Sequence, residues 1–347
     1  MPVNPSETFR YYPRMSDLAY AYGGSGQATA RLKVSPEDFL VEEVLGFELS
    51  GEGEHLWLYI EAIDMNTDFT VKQLARAFGI EKKAISYSGK KDRRAITSQW
   101  FSLHMPGKGN DIPADLHENL QVLTVKRHSK KLRRGAHKEN LFTICLREVT
   151  GLNPDCFNHQ LQQIIDNGYP NYFGPQRFGH NETNIDFAVQ VMASGRRLKR
   201  QERDRVYSTL RAWDFNRLLS QRVSDKSWQT YLPGDALQLA GTSSFFCPDA
   251  WDDDLQTRLN SGDLAVAGCL PGKGNQRVPT GDGVYQTHPD ILQYLMQQRV
   301  EQGVRPLSVI PKNIHSHVKV DHIQLSFALP KGAYATSLLR ELITLKE

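Results

Sequence analysis

The chain has 347 residues and a net charge of +3, from 42 Lys and Arg against 39 Asp and Glu; its length favours two domains and allows a sizeable core. It contains no run of eighteen apolar residues, and its first twenty residues lack the apolar core of a signal peptide, so neither a membrane span nor secretion is expected. Cys145, Cys156, Cys247 and Cys269 are scattered without a CxxC pair, which fits a reduced cytoplasmic protein better than a disulfide framework.

In chain order, Arg31 to Leu45 reads as strand, turn and strand, with Pro36 excluding a central ladder at that point. His55 to Ile60 is apolar on both faces and is expected to be central in a sheet. Asn66 or Thr67 caps a helix with the stripe Val71, Leu74, Ala75 and Phe78, closed by Gly79. Ala84 to Ser88, Thr97 to Leu103 and Leu141 to Val149 read as strands. Beyond Val149 the pattern turns helical, with helices expected at Cys156 to Ile165, Asn184 to Met192 and Val206 to Val223. The segment Asn171 to Gly179 is too rich in Gly and Pro for either regular element. Strands at Ala236 to Ala240 and Leu264 to Leu270 and a helix at Pro289 to Val300 follow. A strand pattern resumes over Val318 to Leu329, and a helix from Ala333 to Ile343 ends the chain. Strand-rich ends around a helix-rich middle imply an insertion into one sheet domain.

The total charge hides its distribution. Lys126, Arg127, Lys130, Lys131, Arg133, Arg134 and Lys138 fall within thirteen residues that contain no acid, together with His128 and His137. A second basic cluster runs from Arg196 to Arg205. Such clustering on a near-neutral chain implies one basic face suited to phosphates. A third basic stretch, Gly89-Lys90-Lys91-Asp92-Arg93-Arg94-Ala95-Ile96-Thr97-Ser98-Gln99, holds one carboxylate among four cations. Positive neighbours favour the charged form of Asp92, which suits a nucleophile or an electrostatic stabiliser and not a general base. Gly89-Lys90 and Gly272-Lys273 lack the spacing of a phosphate loop. His315, His317 and His322 lack the ligand arrangement of a zinc site.

The stretch from Gly89 to Gln99 resembles the G-x-K-D-x-x-A-x-T-x-Q signature of the TruD family of tRNA pseudouridine synthases at every specified position. The resemblance extends from about Arg31 to the terminal helix. It implies an α+β fold in which a pseudouridine-synthase-like, mixed and largely antiparallel sheet domain is formed by residues 1–167 and 309–347. An inserted α/β domain, the TRUD domain, would cover 168–308. It implies isomerisation of a tRNA uridine, uridine 13 in the D arm, with no cofactor and no metal. Asp92 falls on the family's catalytic aspartate. Phe39, within Pro36-Glu37-Asp38-Phe39, and Asn140 and Phe142, within Glu139-Asn140-Leu141-Phe142, match positions that contact the target nucleotide. Tyr334 stands where the family is expected to carry Phe. Lys33 is the candidate cation for Asp92, and Arg177, in a further signature block from Asn171 to Gly179, is a candidate substrate contact. Lys126, Arg127, Lys130, Lys131, Arg133 and Arg134 are the expected phosphate contacts.

An extruded base must recover the cost of unstacking, a few kcal/mol, from a new partner, and stacking on an aromatic returns roughly 1–3 kcal/mol. Aromatic residues beside Asp92 therefore belong to the energetics of the reaction. A monomer is expected, because the site needs no second chain. Two other readings use the same residues. One is a metal-dependent RNA nuclease built on Glu37, Asp38, Glu42, Glu43 and Asp92; the other is a non-catalytic RNA-binding protein in which only the basic segments matter.

Overall fold

The computed structural model describes residues 14–23, 28–274 and 287–346; most of the segment examined for a signal peptide lies outside them. Strands β1 (Thr29–Leu32), β2 (Phe39–Val44) and β3 (His55–Ile63) lead into helix α1 (Thr67–Ala77). Strands β4 (Ile85–Tyr87), β5 (Ile96–His104), β6 (Leu120–His128) and β7 (Glu139–Thr150) follow. The middle of the chain contains α2 (Pro154–Asn167), β8 (Tyr169–Pro170), α3 (Thr183–Ser194), α4 (Arg200–Ser224), β9 (Ala236–Leu239) and β10 (Phe245–Phe246). It continues through α5 (Asp253–Asn260), β11 (Leu264–Leu270), α6 (Pro289–Gln297), β12 (Gly303–Pro306) and β13 (Ser308–Val309). The chain closes with β14 (Lys312–Val318), β15 (His322–Pro330), α7 (Ala335–Leu342) and β16 (Thr344–Lys346).

By contacts the chain forms two compact units, one of residues 25–159, 311–332 and 343–347, the other of residues 1–24, 160–310 and 333–342. The first is built on a ten-stranded sheet in the order β14-β15-β7-β2-β5-β3-β6, with β1 and β16 joined through β7 and β4 on β5. Only the β2–β5 and β1–β16 pairs are parallel, so the sheet is mixed and largely antiparallel and the fold is α+β. β3 lies between β5 and β6, as its two apolar faces require. Leu56, Leu58, Ile60, Phe101 and Leu103 pack under Val71, Leu74 and Ala75 of α1. Beyond the reach of α1 the same face carries Phe39 and Glu43 from β2 and Asn140 and Phe142 from β7, brought side by side by the β2–β7 register.

The second unit packs α3 and α4 around Phe178, Ile185, Leu210 and Trp213. α4 also packs on β11 through a core that includes Phe215, Leu219, Leu237 and Val266. Among the described residues no helix is long and apolar enough to cross a membrane.

Some expected elements differ. The pattern over Val318 to Leu329 is not one strand, because the chain turns back at residues 319–321 and forms the β14–β15 hairpin. The helix expected from Val206 begins at Arg200, where Glu202 accepts from the Lys199 amide at 3.3 Å, so the cations from Arg200 to Arg205 lie on helix. α6 ends at Gln297, three residues early. β6, a strand absent from the expected elements, carries Lys126 and Arg127.

Candidate active site

The turn between β4 and β5 is held by polar side chains from the signature stretch and from the start of α1. Asn66 Oδ1 caps α1 by accepting from the Phe69 amide at 2.9 Å, a typical N-cap arrangement, and this fixes Thr67. Thr67 Oγ1 accepts from the Lys91 amide and donates to Gln99 Oε1, both at 2.8 Å. Gln99 Nε2 returns to the Gly89 carbonyl at 3.1 Å. Ala95 is fully buried, and its carbonyl accepts from the Asp64 amide at 3.0 Å. The glycine, alanine and glutamine of the signature, together with Thr67 of α1, thus shape the turn on which Asp92 stands.

The partner of Asp92 comes from far away in sequence. Lys33 Nζ donates to Asp92 Oδ2 at 2.6 Å, with the two side chains 15% and 35% exposed. Lys33 adopts a left-handed backbone, φ 57°, uncommon for a non-glycine residue. Its ammonium also sits 4.0 Å from the centre of the Phe39 ring. Phe39 meets Phe142 edge-on at 6.0 Å, and Phe142 stacks on Phe327 at 5.5 Å. An ammonium, a carboxylate and a run of rings therefore adjoin one another.

The cations that flank Asp92 in sequence do not gather around it as expected. Lys90 pairs with Asp68 at 2.6 Å, Lys91 with Glu43 at 2.8 Å, and Arg93 with Asp64 at 3.5 Å. The Lys91–Glu43 pair is buried, with side chains 7% and 0% exposed, and Glu43 Oε1 also accepts from the Trp100 amide. Asp38, 1% exposed, holds Arg147 at 2.8 Å and the Ser35 amide at 3.1 Å. Three of the acids of the nuclease reading, Asp38, Glu43 and Asp92, are therefore engaged by protein cations. Glu37 and Asp38 lie in a single 3-10 turn and not on an extended strand.

Next to the turn lies a buried group that the sequence reading counted only as basic. His137, 6% exposed, donates its amide to Ser88 Oγ at 3.0 Å, and its Nδ1 meets the same oxygen. Its Nε2 is 3.3 Å from Asn140 Nδ2, and Glu43 Oε2 is 3.9 Å from Nδ1. Burial, reinforced by Lys91 and Lys331, lowers the imidazole to about 4, so the ring is neutral near pH 7. In the sequence His137 is one histidine near the end of a charge run, and nothing distinguishes it there.

The basic segment is pinned beside this turn. Gly135 donates to the Ser88 carbonyl at 2.9 Å, Leu132 to Ser102 Oγ at 2.8 Å, and Trp57 Nε1 to the Lys130 carbonyl at 3.0 Å. Arg134 lies 3.9 Å over the Tyr87 ring. Lys126, Lys130, Lys131 and Arg133 are exposed and have no carboxylate partner among the described residues. Arg127 differs from them: its guanidinium donates to Asn110 Oδ1 at 2.7 Å and to the carbonyls of Met105, Lys108 and Gly109, which fastens the 105–110 loop.

Tyr334 and Arg177 lie in the other compact unit, and there they meet. Arg177 Nε and Nη2 donate to Tyr334 Oη at 3.3 and 3.0 Å. The hydroxyl that separates this residue from the expected Phe is thus an acceptor for the guanidinium. The Tyr334 ring meets Phe173 edge-on at 6.0 Å, and buried Arg305 covers Phe173 at 4.0 Å. A Cβ on Gly174 would come within 2.9 Å of Tyr334 Cδ1 and 2.6 Å of Thr336 Oγ1, so this close approach requires glycine.

A mixed sheet that presents an ion-paired carboxylate beside aromatic rings, with an adjacent basic loop, has the chemistry of a site for a planar base attached to a polyanion. Known proteins match the chain over most of its length. The family model for tRNA pseudouridine synthase D (TruD) matches residues 17–196 and 191–342. A tRNA pseudouridine synthase D of Hydrogenovibrio crunogenus is 38% identical over 340 residues, 96% of this chain and 97% of that one. One of Pseudomonas entomophila is 41% identical over 334 residues, 93% of each. A crystal structure from Methanosarcina mazei bearing the same family name superposes with a TM-score of 0.66 at 20% identity, covering 94% of this chain and 95% of that one; it supports the fold. The chain belongs to the tRNA pseudouridine synthase D family.

Proposed function

We propose that this chain isomerises one uridine of tRNA to pseudouridine, with uridine 13 of the D arm as the target and Asp92 as the nucleophile. The reaction breaks the N1–C1′ bond and forms C5–C1′; a proton leaves C5 and one is gained at N1. Composition and oxidation state are unchanged, so the step calls for no redox partner. The observation that carries this reading is the Lys33–Asp92 pair on a turn locked by the family signature, with the Lys33 ammonium against Phe39. Lys33 holds the carboxylate and offsets its charge, and Phe39 and Phe142 flank the extruded base. Asn140 contacts the base's polar edge, Tyr334 and Arg177 contact the nucleotide, and Lys126, Lys130, Lys131, Arg133 and Arg134 take the phosphates. Arg127 belongs with these in sequence, yet its donors are engaged within the protein. The inserted domain is assigned to 168–308, and the enzyme works as a monomer in the cytoplasm.

The test is incubation with unmodified tRNA in a chelator, followed by mapping of new pseudouridines by carbodiimide-dependent primer arrest. One new stop, in the D arm, is expected from the native chain. Asp92→Asn should bind tRNA with similar affinity and give no stop. Binding without turnover by the native chain would favour the RNA-binding reading, and magnesium-dependent cleavage would favour the nuclease.

A further inference from the structure

Asn140 is half-buried, and its Oδ1 is a buried atom without a hydrogen-bond partner among the described residues. The other end of its amide, Nδ2, faces His137 Nε2 at 3.3 Å. A neutral imidazole carries one proton, so an Nε2 that accepts from Asn140 requires the proton on Nδ1. Two neighbours favour that tautomer: Ser88 Oγ, in contact with Nδ1, and the Glu43 carboxylate 3.9 Å away. Glu43 is itself fixed by Lys91 and the Trp100 amide, and Gly89 of the signature lies against the imidazole, its Cβ position 3.5 Å from His137 Cε1. The imidazole is thus clamped on the side away from Asn140.

We propose that His137 is a positioning residue that sets the orientation of the Asn140 amide, so that Oδ1 is presented as an acceptor to N3–H of the target uracil. This rests on the reading that Asn140 contacts the base. Exchanging N1 for C5 at the sugar turns the ring by half a revolution about the line through C6 and N3. O2 and O4 trade places in that turn, whereas N3–H stays where it was. An acceptor on N3–H can therefore hold the base before, during and after the turn, which a donor to either carbonyl cannot do. A carbonyl oxygen in this position also disfavours cytidine, whose N3 carries no proton.

The experiment is a double-mutant cycle on the full chain with unmodified tRNA. The variants are His137→Leu, His137→Gln, Asn140→Ala and the His137→Leu/Asn140→Ala pair, each checked for an unchanged melting transition. His137→Leu should lower single-turnover rate by roughly tenfold, the worth of one well-placed hydrogen bond. It should cost almost nothing further once Asn140 is Ala, and His137→Gln, whose carbonyl can accept from Asn140, should recover part of the loss. An equal cost of His137→Leu in both backgrounds would mean a merely structural role and would overturn the proposal. Wild-type turnover by Asn140→Ala would remove its foundation, whereas absence of product from the native chain would instead remove the proposed activity. Nitrogen NMR of histidine-labelled protein gives an independent readout: a proton on Nδ1 of His137 supports the assignment, and a proton on Nε2 refutes it.

Discussion

Lys33 shows a conflict between stability and chemistry at a single residue. A non-glycine residue at φ 57° costs of order 1 kcal/mol of backbone strain, and a surface lysine would ordinarily be replaced there without loss. Its side chain has two tasks at once, an ion pair to Asp92 at 2.6 Å and a position over the Phe39 ring. Lys33→Gly removes the strain together with the ammonium. The melting temperature should therefore change little, while turnover should fall on the order of a hundredfold, as for other groups that stabilise a reacting charge. Near-native turnover by this variant would show that the ion pair has no part in the reaction. The sequence made Asp92 legible through its surrounding signature, and Lys33 through the family resemblance. It could not show that Lys90, Lys91 and Arg93 face other acids, since a charge run carries no information on which side of the chain each residue points. Lys91 reads as a surface cation, and only the β2–β5 pairing places it on buried Glu43.

At the scale of elements, what the sequence revealed tracks burial. Strands β3, β5, β7 and β15 have apolar faces and were expected from their patterns. β6 and β14 lie at the two ends of the sheet order, with one neighbour each; an edge strand need not be apolar, and theirs carry cations and histidines. The connection from β6 to β7 was legible as basic and illegible as structured, yet it carries the buried His137. Burial of that imidazole, reinforced by Lys91 and Lys331, lowers it from 6.5 to about 4. Between those two values the unfolded chain takes up a proton that the folded one refuses, so folding stability falls as pH drops from 6.5 towards 4 and levels off below that. The loss is about 3 kcal/mol at most. His137→Leu should flatten this part of the profile in urea titrations at pH 7, 5.5 and 4.5. A slope that matched the native chain would mean that the imidazole takes up its proton at the same pH in the folded and unfolded chains.

At the scale of the molecule, a net charge of +3 conceals a local concentration of cations that tertiary contacts fix next to the turn bearing Asp92. The loop from residue 129 to 137 is tied to Ser88, Ser102 and Trp57 through its backbone, which leaves the side chains of Lys130, Lys131 and Arg133 exposed. Binding that neutralises phosphates releases counterions, and each contact adds about 0.7–0.9 to the slope of log K against log salt. Replacing Lys126, Lys130, Lys131 and Arg133 together by Gln should reduce that slope by about 3 and weaken tRNA binding. The single-turnover rate at saturating enzyme should stay close to native, because none of the four touches Asp92's immediate partners. Arg127 supplies the internal contrast. Its donors already hold Asn110 and three carbonyls, so Arg127→Gln should leave the salt slope unchanged and instead destabilise the chain by about 1–3 kcal/mol, through carbonyls deprived of a charged donor. The two variants have to separate in opposite directions. A full loss of slope from Arg127→Gln, or an unchanged slope from the fourfold variant, would place the phosphates on some other face, the exposed cations from Arg196 to Arg205 being the next to test by the same titration.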